Sequence, residues 1–461
     1  MAEKLFAPFT PDASNPFDAR KAAHLLRRAG FGARPDEVQA AVERGLEATV
    51  DELFSEADGE AERLDQIRQA VSGRLLNFGD AGTCQAWWLF RMVTTACPLK
   101  EKLTLFWHGH FATSVAKVGD TELLMQQIDA LRASAWGSFR DLVLAMAKDP
   151  AMLVWLDGES NGKEHPNENF ARELMELFTC GIGNYTEADV LEAARAFTGW
   201  HREGNKFVFH ADAHDVGVKR VLGRRGKLDG GDVIDILLSL PATPRFLAKK
   251  LLRFFAAGEP SDAAVAEAAA ALERTRLNVK WFLRELFLSQ YFFSPECYRT
   301  RIASPVEYAV GIVRSLGVRQ PTLDLVGTLA GMGQELLAPP NVKGWDGEQK
   351  WIHSTALAVR TALAKQISEL KANYGGLAPH CPVEELVPPA VNTAEGIVDR
   401  WAELLFQGEL PESVRRELVA LARDGIDANA GNTLESNPDF REAKVRSVLA
   451  VMLALPEFQV V

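Results

Sequence analysis

Three short segments carry side chains able to hold an ion or move a proton. In Leu103-Thr104-Leu105-Phe106-Trp107-His108-Gly109-His110-Phe111, helical spacing puts Leu103, Phe106, Trp107 and His110 on one face. His110 is then an imidazole on an apolar face, either an ion ligand or a core histidine satisfied by a hydrogen bond. His108, two positions away, points to nearly the opposite side, so an unbroken helix keeps the two histidines from sharing an ion. In Glu168-Asn169-Phe170-Ala171-Arg172-Glu173-Leu174-Met175-Glu176-Leu177-Phe178, Phe170, Leu174 and Leu177 form a buried stripe. Glu173 lies about 60° and Glu176 about 120° from that stripe. Carboxylates at i and i+3 beside a buried stripe can lean toward one ion, although a solvated face with an Arg172–Glu176 pair fits the same letters. In His210-Ala211-Asp212-Ala213-His214-Asp215, an extended backbone points His210, Asp212 and His214 the same way. A turn shaped by Asp215 and Gly217 is the alternative.

Imidazole and carboxylate together suit iron, manganese or zinc. The set therefore predicts an enzyme dependent on a divalent transition metal. His110, Glu173 and His214 are its expected ligands, with Asp215 as a ligand or the support of one. Glu176 is a ligand or proton shuttle, and Arg172 orients a carboxylate or an anionic substrate. Helix-borne ligands without an HExxH motif favour non-haem oxidative chemistry over zinc-dependent hydrolysis, which stands as an alternative. A second alternative is a non-catalytic helical scaffold or partner-binding protein, in which the same residues form a buried polar network. No P-loop, strand-borne GxGxxG or GxSxG occurs. Pro339-Pro340-Asn341-Val342-Lys343-Gly344-Trp345 is a rigid aromatic loop that either walls a pocket or packs its tryptophan on helix ends.

The elements that position these residues read as helices. Amphipathic stretches cover Asp18–Arg28, Asp36–Arg44 behind Pro35, Gln85–Cys97, Lys100–Phe111, Glu122–Ser134, Ser138–Lys148, Glu168–Thr179 and Glu187–Thr198. Thr186 and Asp189 stand at the spacing of a capping box. Lys206–Phe209 and Lys219–Leu222 read as two short strands, consistent with a single hairpin. Helical periodicity returns at Asp232–Leu240 and Arg245–Phe255 and persists to the end, interrupted at 377–393 by four prolines. The expected fold is mainly α: a multi-helix bundle with one small β-hairpin insertion near 206–222. Its expected division is a helical main domain, 1–376, and a C-terminal helical extension, 377–461.

Composition narrows the classes. With 51 Lys and Arg against 62 Asp and Glu, the net charge of the 461-residue chain is −11, which disfavours non-specific nucleic-acid binding. No run approaches the ~20 apolar residues of a membrane span. The five cysteines are scattered without a CxxC pair, as expected of reduced, buried thiols. The first residues lack the apolar core of a secretory signal, so the expected compartment of the chain as given is the cytoplasm. A protein partner is left open.

Several blocks of the chain resemble the bacterial family called domain of unknown function 1800. They are His24-Leu25-Leu26-Arg27-Arg28-Ala29-Gly30-Phe31-Gly32, Phe106 to Phe111, Asn167 to Leu177, and Tyr185-Thr186 through Thr198-Gly199-Trp200. His214-Asp215 with Gly217 and Lys219, Ser304-Pro305-Val306-Glu307-Tyr308, and Pro339 to Trp345 complete the set. The blocks run in family order from about residue 20 to residue 355. The resemblance implies that His110, Arg172, Glu173, Glu176, His214 and Asp215 belong to shared motifs, and that His108, His210 and Asp212 do not. Members often carry His-Thr-Leu-Gly after the paired glutamates, where this chain has Phe178-Thr179-Cys180-Gly181. Members are also often exported.

Overall fold

The computed structural model describes residues 4–461 apart from 57, 74–75, 372–377, 428 and 430. The protein is mainly α, with two small antiparallel hairpins. Local chemistry sets most helix starts. Asp18, Asp80, Asp120, Ser138, Thr186, Ser261 and Asn437 each accept a backbone N–H in the first turn that would otherwise lack a partner. Pro35, Pro98, Pro150 and Pro305 occupy first-turn positions, where a missing N–H costs nothing. The Thr186–Asp189 box forms in both directions. Ser304 and Glu307 form a second one, and Glu307 has a larger role below.

The insertion differs from the single hairpin expected. β1 (Trp200–Glu203) pairs with β2 (Lys206–Phe209), and β3 (Lys219–Val221) pairs with β4 (Arg224–Gly226). The strands at 206 and 219 do not pair with each other. Each hairpin closes through residues at positive φ: Gly204 in the first, Leu222 and Gly223 in the second. Between β2 and β3, Ala211–Ala213 is a 3-10 turn. The extended arrangement that would align His210, Asp212 and His214 is therefore absent, and the turn reading applies.

One hydrophobic core runs from Phe6 to Val461 and encloses Trp88, Trp107 and Trp401 completely. The Ser354–Glu369 helix packs along the Pro438–Ala454 helix. The Tyr308 hydroxyl ties the two together, 3.1 Å from the Arg360 carbonyl and 3.0 Å from the Leu453 carbonyl. Arg446 adds bonds to the Ser368 and Leu370 carbonyls. The expected seam at 376/377 includes residues outside those described. All five cysteines are buried and free. Among the described residues no helix is long and apolar enough to cross a membrane.

Candidate functional site

His110 closes the Pro98–His110 helix, which runs unbroken through Gly109. The two histidines accordingly serve opposite faces. His108 is fully buried against Trp88 and Trp345, and its Nε2 accepts the Leu337 N–H at 3.2 Å. Burial pushes its imidazole down to about 3, so it is a neutral structural acceptor. His110 turns the other way, among Phe106, Trp107, Phe139 and Phe178. Its Nε2 is 3.1 Å from the Phe178 carbonyl and its Nδ1 is 3.2 Å from Lys250 Nζ. A carbonyl only accepts, so Nε2 carries the proton and Nδ1 is left as the acceptor for the lysine. Burial, reinforced by the charge of Lys250, holds the ring neutral.

The Phe178 carbonyl reaches His110 because the glutamate helix changes pitch. Asn169–Glu173 is α-helical, and Leu174–Thr179 continues as a π-helix. The Thr179 hydroxyl and the Cys180 N–H bond to the Leu174 and Met175 carbonyls, each five residues back. The carbonyls of Leu177 and Phe178 go instead to Lys250 and His110. A π turn in this setting is a familiar mark of functional helices.

The glutamates have other roles. Arg172 pairs with Glu168 at 2.9 Å and Glu187 at 2.7 Å, and these bonds hold its guanidinium charged. Its expected partner Glu176 instead accepts the Tyr185 hydroxyl at 3.0 Å. Burial raises the carboxyl of Glu173, and neighbouring Glu176 adds to the rise. At the hairpins, His214 Nδ1 donates to the Thr198 carbonyl at 2.8 Å. Asp215 takes Arg195 at 2.7 Å and caps the Gly217 N–H, which holds its carboxyl below the usual range. The buried Lys219 ammonium bonds to the Asp215 carbonyl. His210 pairs with Glu203, and Asp212 is exposed.

Among the described residues no three His, Cys, Asp or Glu side chains form a group that could hold a metal ion. His110, Glu173, His214 and Asp215 therefore do not share an ion in this arrangement. Both His110 nitrogens, Nδ1 of His214 and the carboxylate of Asp215 are hydrogen-bonded to other partners.

What His110 does join is a pocket of about 200 Å³ that the motif residues were not expected to share. Its wall combines Phe106, Gly109 and His110 with Lys250, Arg253 and Phe254 of the Ala242–Phe255 helix, Arg301, and the loop from Lys343 to Trp351. That loop docks directly on the His110 helix. Gly344 has φ of 84°, and a Cβ there would drive into the Gly109 carbonyl. The Gly344→Ala variant should lose about 2 kcal/mol or more, combining left-handed strain with the clash. Chemical denaturation should show this loss, and Trp345 fluorescence should shift as the loop lifts.

Lys250 is the residue that sequence reasoning passed over. Its Nζ bonds to two acceptors, His110 Nδ1 and the Leu177 carbonyl at 2.9 Å, and it packs 4.7 Å from the Phe246 ring. Neither acceptor is charged. Burial, with a smaller push from Lys343, brings the amine down to about 7.

Behind the pocket lies a buried ionic cluster. Glu307 clamps Arg301 and, at 2.5 Å, Lys102. Lys102 also donates to the Gly30 carbonyl at 2.7 Å. Arg28 bonds to the Ala256 and Cys297 carbonyls. The early Arg28–Gly30 motif and the Ser304–Tyr308 motif thus meet here.

No curated protein and no solved structure matches the chain. A family model described as protein of unknown function (DUF1800) matches residues 24–460. With nearly its whole length covered, the chain belongs to the DUF1800 family.

Proposed function

We propose that the protein is an enzyme whose reacting group is the Lys250 amine, acting as a general base beside His110 in the Trp345 pocket. The observation that carries this reading is the match between donors and acceptors at Nζ. A neutral amine has two N–H groups and a lone pair, and the two uncharged acceptors use both N–H groups. An ammonium has a third N–H, and among the described residues no carboxylate pairs with Lys250: Asp346 of the pocket wall is tied to Lys343 and Glu348 accepts the Ile302 N–H. The surroundings therefore favour the form that can take a proton from a substrate, at a pH where the amine and its conjugate acid interconvert. His110, fixed in its Nε2–H tautomer, aims the amine.

This reading moves the chemistry from an ion to an amine. A metal-dependent reaction at His110 would require the ring to give up one of its two partners. Arg172, Glu173, Glu176, His214 and Asp215 take the role of supports: the first three lie on the helix whose π turn offers its carbonyls to Lys250 and His110, and the last two hold the segment between the hairpins.

The test uses a small activated acetyl ester at pH 7, with peptide mass spectrometry resolving each lysine. Lys250 should acetylate at least tenfold faster than exposed Lys163 and Lys227. A rate no greater than theirs would refute the reading.

A further inference from the structure

Charge in the pocket wall is unevenly matched. Lys250, Arg253, Arg301 and Lys343 line it against Asp346 and Glu348. Asp346 is tied to Lys343 at 2.9 Å, and Arg253 reaches Glu259 at 3.2 Å, an exposed pair of little strength. Glu348 accepts the Ile302 N–H at 3.3 Å, and burial raises its carboxyl, which weakens it as a counter-charge. Behind the wall, Arg301 and Lys102 must share the single carboxylate of Glu307.

Arg301 is 4% exposed, and its Nε is buried with no hydrogen-bond partner among the described residues. Arg28, in the cluster behind the wall, also leaves Nε and Nη1 buried without a hydrogen-bond partner among the described residues. A buried guanidinium donor without a partner destabilises the site. Such a cost is removed when an anion binds, because charge-assisted bonds to oxyanions are among the strongest available. The rest of the wall is aromatic: Phe106, Phe254, Trp345 and Trp351. Flat apolar faces with a few convergent polar groups are the usual lining of a small-molecule site.

We infer that the pocket's ligand carries an oxyanion, a carboxylate or a phosphate, held by Arg301 and Lys343 while its body lies against Trp345. The inference rests on the proposed function and supplies its substrate class: a small anionic molecule, or the anionic end of a longer one, with its reacting proton toward Lys250.

Binding of inorganic phosphate, succinate and the uncharged succinamide to the full chain tests it, read by thermal shift and by Trp345 fluorescence at constant ionic strength. Phosphate or succinate should stabilise the protein in a saturable way, and succinamide should not. Lys343→Gln and Trp345→Ala, which leave the buried cluster in place, should each weaken that binding at least tenfold. An equal response to succinamide, or unchanged anion binding in both variants, would overturn the inference. The acetylation experiment separates the two claims. Saturable anion binding with an unreactive Lys250 supports this site and defeats the catalytic reading. A hyper-reactive Lys250 with no anion response defeats this inference alone.

Discussion

Lys250→Met should make the protein more stable in acid, and the advantage should fade as the pH rises. In the folded protein the amine lies near 7 against an ordinary value of 10.5. Below about pH 7 both folded and unfolded chains carry the charge, and the fold bears its full burial cost. Between 7 and 10.5 the folded amine is neutral while the unfolded one is still charged, so the cost shrinks as pH rises. Above 10.5 it is gone. The gap corresponds to roughly 5 kcal/mol for a wholly dry amine, and water in the open pocket reduces it to about 2–4 kcal/mol. The variant also loses two hydrogen bonds, about 1–2 kcal/mol that does not depend on pH. The diagnostic is therefore the difference in slope between the wild-type and variant stability curves from pH 6 to pH 10. Parallel curves would show that Lys250 titrates normally.

The second large effect concerns Glu307. Burial acts to raise its carboxyl, but Arg301 and Lys102 outweigh that and hold it well below the usual carboxylate range. Glu307→Gln leaves those two buried cations without their shared counter-charge. Removing one partner of a buried pair costs about 3–5 kcal/mol, because the remaining charge is stranded. The loss should be full at pH 7. Glu307 contributes its stability above the ordinary glutamate value of about 4.3 and loses it as the pH falls toward the depressed native one. The wild type and variant should therefore converge in strong acid. Denaturant titrations at pH 7 and at pH 3 should show the full loss at the first and a smaller one at the second. A variant as stable as the wild type at pH 7 would mean that the cluster is neutralised in some other way.

Much of the fold was legible because it is written locally. Asp, Ser, Thr and Asn caps, first-turn prolines and the Thr186–Asp189 box place helix starts within a few residues of each other's sequence. The hairpin insertion was half legible. β2 shows Phe207 and Phe209, but its partner Trp200–Glu203 and the strand Arg224–Gly226 are too polar to alternate visibly. Their signal lay in the turns, Gly204-Asn205 and Leu222-Gly223, each of a length that closes a two-residue hairpin.

The candidate site divides differently. His110 was legible as a polar ring on an apolar helix face, and the Lys343–Trp345 loop as a potential pocket wall. Their union was not, because it depends on Gly109 and Gly344 approaching backbone to backbone across more than two hundred residues of chain. Lys250 was missed because Lys249-Lys250 reads as an ordinary solvated pair. The available signal was its spacing. Phe246 and Phe254 stand four residues on either side, which puts an amine in an aromatic row. The π turn at Leu174–Thr179 was also hidden, since the long-range bonds of Lys250 and His110 to its carbonyls have no trace in the local letters. His110, Glu173, His214 and Asp215 form no metal-sized group among the described residues; periodicity shows which face a side chain occupies, but not which partner it will meet.

The most direct test of the central claim is the titration of the Lys250 side chain itself. Heteronuclear NMR of lysine-labelled protein, with the resonance assigned through Lys250→Arg, reads it without a substrate. The account predicts a midpoint near pH 7 that moves when Lys343 is neutralised. A Lys250 resonance that stays that of an ammonium up to pH 10 would contradict it.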